Sequence, residues 1–106
     1  MTDRSKAGRK AKKQGRECEL RGRRLLMEQG CRVILGGSGK TRDDVLDAVG
    51  VGINVVRLVS FKGYLLYGKE REAALDELFH LPRFPGISRE LWEWDKKARR
   101  FRINHV

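Results

Sequence analysis

The chain has 106 residues, with 24 Lys and Arg against 14 Asp and Glu, a formal net charge of +10 and an isoelectric point near 10.2. That length allows one domain with a single modest core. The charge favours a polyanionic partner, nucleic acid first, over a neutral or acidic one, although a ribosome or an anionic membrane surface would suit the same balance. Cys18 and Cys31 form no CxxC pair and have only His80 and His105 as potential co-ligands, which argues against zinc. Both cysteines are expected as small buried hydrophobes in a reducing cytoplasm. No apolar run approaches the roughly 20 residues of a spanning helix, so the expectation is a soluble cytoplasmic protein with no membrane partner.

Residues 1–16 carry seven Lys or Arg and one Asp, with no large apolar side chain after Met1. Composition therefore predicts a disordered basic arm over residues 1–14. Lys10, Lys12, Lys13 and the neighbouring Arg16 are candidates for non-specific phosphate contacts whose strength falls with salt; the plainer alternative is a solubilising tail. From about Gly15 to Gln29 the pattern turns helical, with Cys18, Gly22, Leu25, Leu26 and Gln29 on one stripe and Gly30 as the C-terminal cap. Glu19 lies at the edge of that stripe, where an i, i+4 pair with Arg23 is its ordinary use.

Cys31 to Leu35 predicts a first strand running into Gly36-Gly37-Ser38-Gly39-Lys40-Thr41-Arg42. The loop lacks the earlier glycine of a nucleotide-binding P-loop and does not lead into a helix, so that reading fails. Ser38, Lys40 and Arg42 are instead candidates for phosphate contact, against simple turn composition. Two β-branched runs follow: Val45, Leu46, Ala48 and Val49, then Ile53, Val55, Val56, Leu58 and Val59, with Gly50 and Gly52 expected to form the turn. A turn centred on Gly52 sets Asp44 opposite Ser60, and places Lys62 on the same face because side chains alternate with period 2. Without further context, Asp44 and Lys62 would form a cross-strand ion pair at the sheet edge.

The segment GYLLYG after Lys62 extends that strand or makes a short further one. Residues 69–80 predict an amphipathic helix with Ala74, Leu75, Leu78 and Phe79 inward, ended by Leu81-Pro82-Arg83-Phe84-Pro85-Gly86. Leu91 to Trp94, a turn at Asp95-Lys96-Lys97, and Arg99 to Val106 predict a closing hairpin. Trp92 and Trp94 share a face there and suit a core or dimer contact better than a base-stacking platform. The expectation is a single α/β domain over residues 15–106, a small mixed sheet flanked by two helices.

Gly15 to Leu26, GGSG, Asp44-Val45, VRLVSFK, the second helix and ELWEW together resemble the phage and archaeal Holliday junction resolvases of the PD-(D/E)xK nuclease superfamily, over about residues 15–95. The resemblance implies a restriction-endonuclease-like core in a homodimer, working in the cytoplasm of a bacterial, archaeal or phage-infected cell. It implies Mg²⁺-dependent hydrolysis of a phosphodiester in branched or double-stranded DNA, with Mn²⁺ as a substitute ion. Under it Glu19 helps hold the metal, Asp44 is the principal metal ligand, Lys62 orients or activates the attacking water, and Ser38 contacts the phosphate. One position departs from the pattern: Ser60 in Ser60-Phe61-Lys62 stands where the superfamily has an acid, and a hydroxyl is a weak ligand for a hard cation. The carbonyl of Phe61 is a further candidate ligand. Asp43 or Asp47 would compensate, although the expected strand parity turns both away from the face of Asp44. Two functions follow: a metal-dependent, structure-selective DNA endonuclease, or a non-catalytic or weakly active nucleic-acid-binding module that lost the acid at Ser60.

Overall fold

Val55–Lys62, eight residues dominated by Val, Leu and Phe, form the strand on which the other elements are laid. The computed structural model describes residues 3–35 and 46–106. In chain order these are α1 (Asp3–Glu28), β1 (Arg32–Leu35), β2 (Ala48–Gly52), β3 (Val55–Lys62), α2 (Gly68–Phe79), β4 (Ile87–Asp95) and β5 (Arg100–His105). The five strands make one sheet in the order β1-β2-β3-β4-β5. The first three strands are antiparallel, β4 runs parallel to β3, and β5 returns antiparallel. A parallel pair cannot be joined by a tight turn, and α2 supplies the crossover. Among the described residues the chain is thus a mixed α/β domain with a five-stranded mixed sheet and two helices.

Alternation along β3 and β4 divides the core between the two sheet faces. On one face Val59, Phe61 and Trp92 pack with Cys18 and Leu26 of α1, together with Cys31 and Ala48. On the other, Leu91 packs with Leu66 and with Leu78 of α2. Phe61 meets Trp92 edge-on at 5.6 Å between ring centroids, an arrangement that suits the ring quadrupoles. Trp92 is fully buried, so it serves the core; Trp94 is half-buried against the same cluster.

The close approach of α1 depends on Gly22. A Cβ there would stand 2.3 Å from a carbon of the Phe61 ring, a distance that cannot be tolerated without movement. Alanine in a helix is ordinarily favoured over glycine by about 1 kcal/mol, whereas overpacking costs about 1–3 kcal/mol. Gly22→Ala is therefore expected to lower stability by up to about 2 kcal/mol despite its better helix propensity, measured as a fall in the urea midpoint.

Several expectations are met in this architecture and others are revised. Gly30 ends α1 with a φ of +86°, as its position predicted. The helix, however, begins at Asp3, so it extends over the segment that composition marked as a disordered arm. Lys, Arg, Ala and Gln are all good helix formers, and a helix needs no apolar face to satisfy its own backbone. Phe79, expected inward, is 52% exposed, because α2 turns only Leu78, Leu75 and Ala74 toward the sheet. β3 stops at Lys62, and the segment after it forms a loop whose Leu66 side chain is buried and whose Leu66 N–H donates to Glu93 at 2.7 Å.

The revision that matters most concerns the hairpin turn. Gly52 pairs with Val55, which leaves Ile53 and Asn54 as the turn, with Asn54 at φ +58°. Asparagine tolerates this left-handed conformation, so glycine is not needed there. Gly50 lies within β2 for a packing reason: a Cβ on it would meet Leu26 at 3.2 Å and Cys31 at 3.4 Å. No helix among the described residues is long and apolar enough to cross a membrane.

Candidate active site

Moving the turn moves the register. The ladder begins with Ala48 paired to Val59, so the aspartate that meets the end of β3 is Asp47, three positions later than the expected Asp44. Asp47 stands just outside the ladder, so the strand parity expected to turn it away does not apply to it. Asp47 sits in the bend just before β2. Its N–H donates to the carbonyl of Val59 at 3.0 Å, and its Oδ2 accepts the N–H of Phe61 at 2.7 Å. The two bonds fix the carboxylate against the end of β3, with Ser60 buried and Lys62 half-buried on the neighbouring positions.

Glu19 is held nearby by α1, one turn before the Gly22 contact with Phe61. Its Oε2 accepts from Arg23 Nη2 at 3.3 Å, the i, i+4 pair expected from sequence, and its side chain is 40% exposed. Burial first, and then the negative charge of Glu19, push the Asp47 carboxyl above its ordinary range. The Phe61 N–H, the cation of Lys62 and the hydroxyl of Ser60 pull in the other direction without cancelling the rise. Glu19, Ser60 and Lys62 therefore all act on one carboxyl, that of Asp47. Cys18 lies next to this group, but burial pushes its thiol up to about 11, which keeps it protonated and unsuited to nucleophilic work.

Phe61 meets the group through its backbone N–H, while its ring is part of the core. Among the described residues no three His, Cys, Asp or Glu side chains gather in a metal-binding group. Asp44 and Asp43 lie outside the described residues, as do the loop candidates Ser38, Lys40 and Arg42 and the side chains of Lys10 and Lys12. Lys13 and Arg16 are exposed on α1.

Sequence reasoning held Asp47 only as a compensating acid turned away from the face of Asp44, which lies outside the described residues, and missed a second set of charges altogether. Glu90 and Glu93 of β4 are both fully buried. Glu90 receives a two-pronged contact from Arg57 at 2.8 and 2.7 Å and the indole N–H of Trp92 at 3.0 Å. Glu93 accepts from Arg102 at 2.9 Å through each of two nitrogens, from Asn104 at 2.8 Å and from the Leu66 N–H. Alternation of Glu, Trp and Leu in ELWEW was a signal for such buried carboxylates, since a strand covered on both faces has no solvent side on which to leave them. Their acceptors are filled by protein donors, so they serve the fold. Comparison with protein-family models, with curated proteins and with solved structures finds no match.

Proposed function

We propose that the protein is a metal-dependent, structure-selective DNA endonuclease of the Holliday junction resolvase kind, with Glu19, Asp47 and Lys62 as its working side chains. The observation that carries the reading is the seat of Asp47: just before β2, its carboxylate accepts the Phe61 N–H beside Ser60 and lies within the fields of both Glu19 and Lys62. In the resemblance drawn from sequence, the principal metal ligand is the aspartate that begins the second strand. In this fold that description suits Asp47. The order helix, three antiparallel strands, crossover helix and parallel strand also accords with a restriction-endonuclease-like core.

The donor set fits a small hard cation. Mg²⁺ is commonly held by one or two carboxylates and keeps several waters. Two neighbouring carboxylates provide such a site, and the charge of Glu19 raises the proton affinity of Asp47, so Asp47 and Glu19 would hold the ion, with the Ser60 hydroxyl and the Phe61 carbonyl as weaker donors. When bound, the metal polarises a phosphoryl oxygen and acidifies a water. The chain's own part is electrostatic and positional. Lys62 sets a cation beside the place where charge develops on the phosphate, and the Phe61 N–H keeps Asp47 from swinging away. The excess of 24 basic over 14 acidic residues draws the polyanion to this surface.

Ser60 in the place of an acid, and the engagement of Glu19 by Arg23, favour as a second reading a nucleic-acid-binding module with little or no cleavage. A labelled four-way junction incubated with the protein and Mg²⁺ or Mn²⁺ separates them. Nicks at symmetric positions, absent in EDTA, support the endonuclease; binding with no cleavage supports the module. Ser60→Glu adds the missing carboxylate beside Asp47 and is expected to lower the Mg²⁺ concentration for half-maximal cleavage severalfold. An unchanged metal titration in a folded variant would remove Ser60 from the site.

A further inference from the structure

Gly63 follows Lys62 directly, and at that point the surface opens into a cleft of about 1190 Å³ between α1, the loop after β3 and the β4–β5 turn. Its wall carries Arg21 from α1 and Lys96 and Lys97 from the turn, joined by Arg99, against the acids Glu17 and Asp95. Asp95 is used internally: its Oδ1 accepts the N–H groups of Lys97 and Ala98 at 3.0 and 3.1 Å, which shapes the turn. The guanidinium of Arg21 lies 4.6 Å from the centroid of the Trp94 ring, a cation–π contact that holds the charge at the cleft. The balance of the lining is therefore positive.

Two aromatic rings face water in the same cleft. Tyr64 is 56% exposed and Tyr67 70%. The Tyr64 hydroxyl donates to Glu70 at 2.7 Å, which anchors that ring. Exposed rings beside cations form the pairing of stacking platform and charged groove on which single strands bind. Phosphates of a duplex would satisfy the cations but leave the rings idle, because paired bases keep their π-faces inside the stack. An unpaired strand uses both, with phosphates on the cations and bases on the rings.

We propose that this cleft binds an unpaired DNA strand, with its backbone along Arg21, Lys96 and Lys97 and its bases stacked on Tyr64 and Tyr67. The cleft begins beside Lys62, so a strand lying in it leads away from the candidate active site. That delivery rests on the nuclease reading; the binding itself needs neither metal nor cleavage.

The test follows tryptophan emission in EDTA on addition of an oligothymidine of about 12 nucleotides, within the range one such surface accommodates. Of the two tryptophans Trp92 is fully buried, so quenching reports on Trp94 at the cleft wall. The oligothymidine is expected to quench the emission and to bind more tightly than a blunt duplex of the same length. Tyr67→Ala should weaken it about fivefold or more. Lys96→Ala with Lys97→Ala should flatten the slope of log K against log salt by about 1.4, the loss of two single-strand phosphate contacts. Arg32→Ala, on β1 at the opposite edge of the sheet, should leave both readings as they were. Tyr67 and both lysines are exposed, so matching unfolding midpoints will show that the variants fold. The proposal is overturned by duplex binding as tight as oligothymidine binding and indifferent to Tyr67→Ala, or by equal losses from Arg32→Ala and the lysine pair. Oligothymidine binding without junction cleavage would uphold the cleft and sink the nuclease; metal-dependent cleavage without oligothymidine binding would do the reverse.

Discussion

Glu90→Ala is expected to lower the free energy of unfolding by about 3–5 kcal/mol, the loss typical of removing one partner from a buried ion pair. The carboxylate is fully buried, and its removal would strand the Arg57 guanidinium, whose side chain is only 15% exposed, and the indole N–H of Trp92. Arg57 keeps contacts to Gln29 and Cys31, but neither carries a compensating charge. Glu90→Gln retains an acceptor without the charge and should fall between wild type and alanine. Urea unfolding checks both, and a loss under 1 kcal/mol for the alanine variant would show the pair to be replaceable.

The same group sets a pH dependence. Burial works to raise the Glu90 carboxyl, yet hydrogen bonds from Arg57, Ser88 and Trp92, with the charge of Arg57, outweigh it and hold the carboxyl below its ordinary 4.5. For Glu93, burial is likewise outweighed by Arg102, the Leu66 N–H and Asn104. A carboxyl lowered by folding contributes stability that is complete above its unfolded value and is lost as pH falls through its folded value. Stability should therefore decline from about pH 4.5 downward, and Glu90→Gln should remove part of that decline. An acid titration followed by near-UV circular dichroism measures it; identical curves for the two proteins would exclude Glu90 as a source.

Asp47→Asn is expected to cut junction cleavage about a hundredfold or more, the scale of losing a group that stabilises developing charge, while leaving DNA binding in place. Asparagine keeps an oxygen that can accept the Phe61 N–H, so the local fold is retained. Stability should move the other way. The Asp47 carboxyl is raised above its ordinary 3.8 by burial and by Glu19, so its ionised form opposes folding above that raised value, and the opposition fades as pH falls through it. The neutral amide removes that opposition, and Asp47→Asn should melt at the same temperature as wild type or higher at pH 7. Loss of activity together with gain of stability is the signature of a residue kept for chemistry. If Asp44→Asn abolishes cleavage and Asp47→Asn does not, the assignment from register is wrong.

How much of this could be read in advance differs from element to element. The α1 stripe of Cys18, Gly22, Leu25 and Leu26 and the cap at Gly30 are local features, dictated by the 3.6-residue period and by the left-handed conformation that glycine accepts. The closing hairpin and the exit of α2 at Pro82 are legible for similar reasons. Glu19 and its partner Arg23 were also visible, because i, i+4 spacing brings them together in any helix. The hairpin register was not visible. Gly50 and Gly52 look like turn residues, but Gly50 is small because Leu26 and Cys31 press on β2, a contact between segments distant along the chain.

The sequence by itself determined the α/β character, the basic surface, the two helices and the alternating strands, since each follows from composition or from a repeat no longer than a helical turn. Only the tertiary structure decided that Asp47 is bound to the end of β3, that Glu90 and Glu93 are buried with donors on every side, and that Tyr64 and Tyr67 share a cleft with Arg21 and Lys96. These pairings join residues far apart along the chain. They are set by how closely α1 can approach the sheet at a glycine and by which turn closes β2 on β3, and a one-residue slip in that turn would turn every side chain of β2 to the other face.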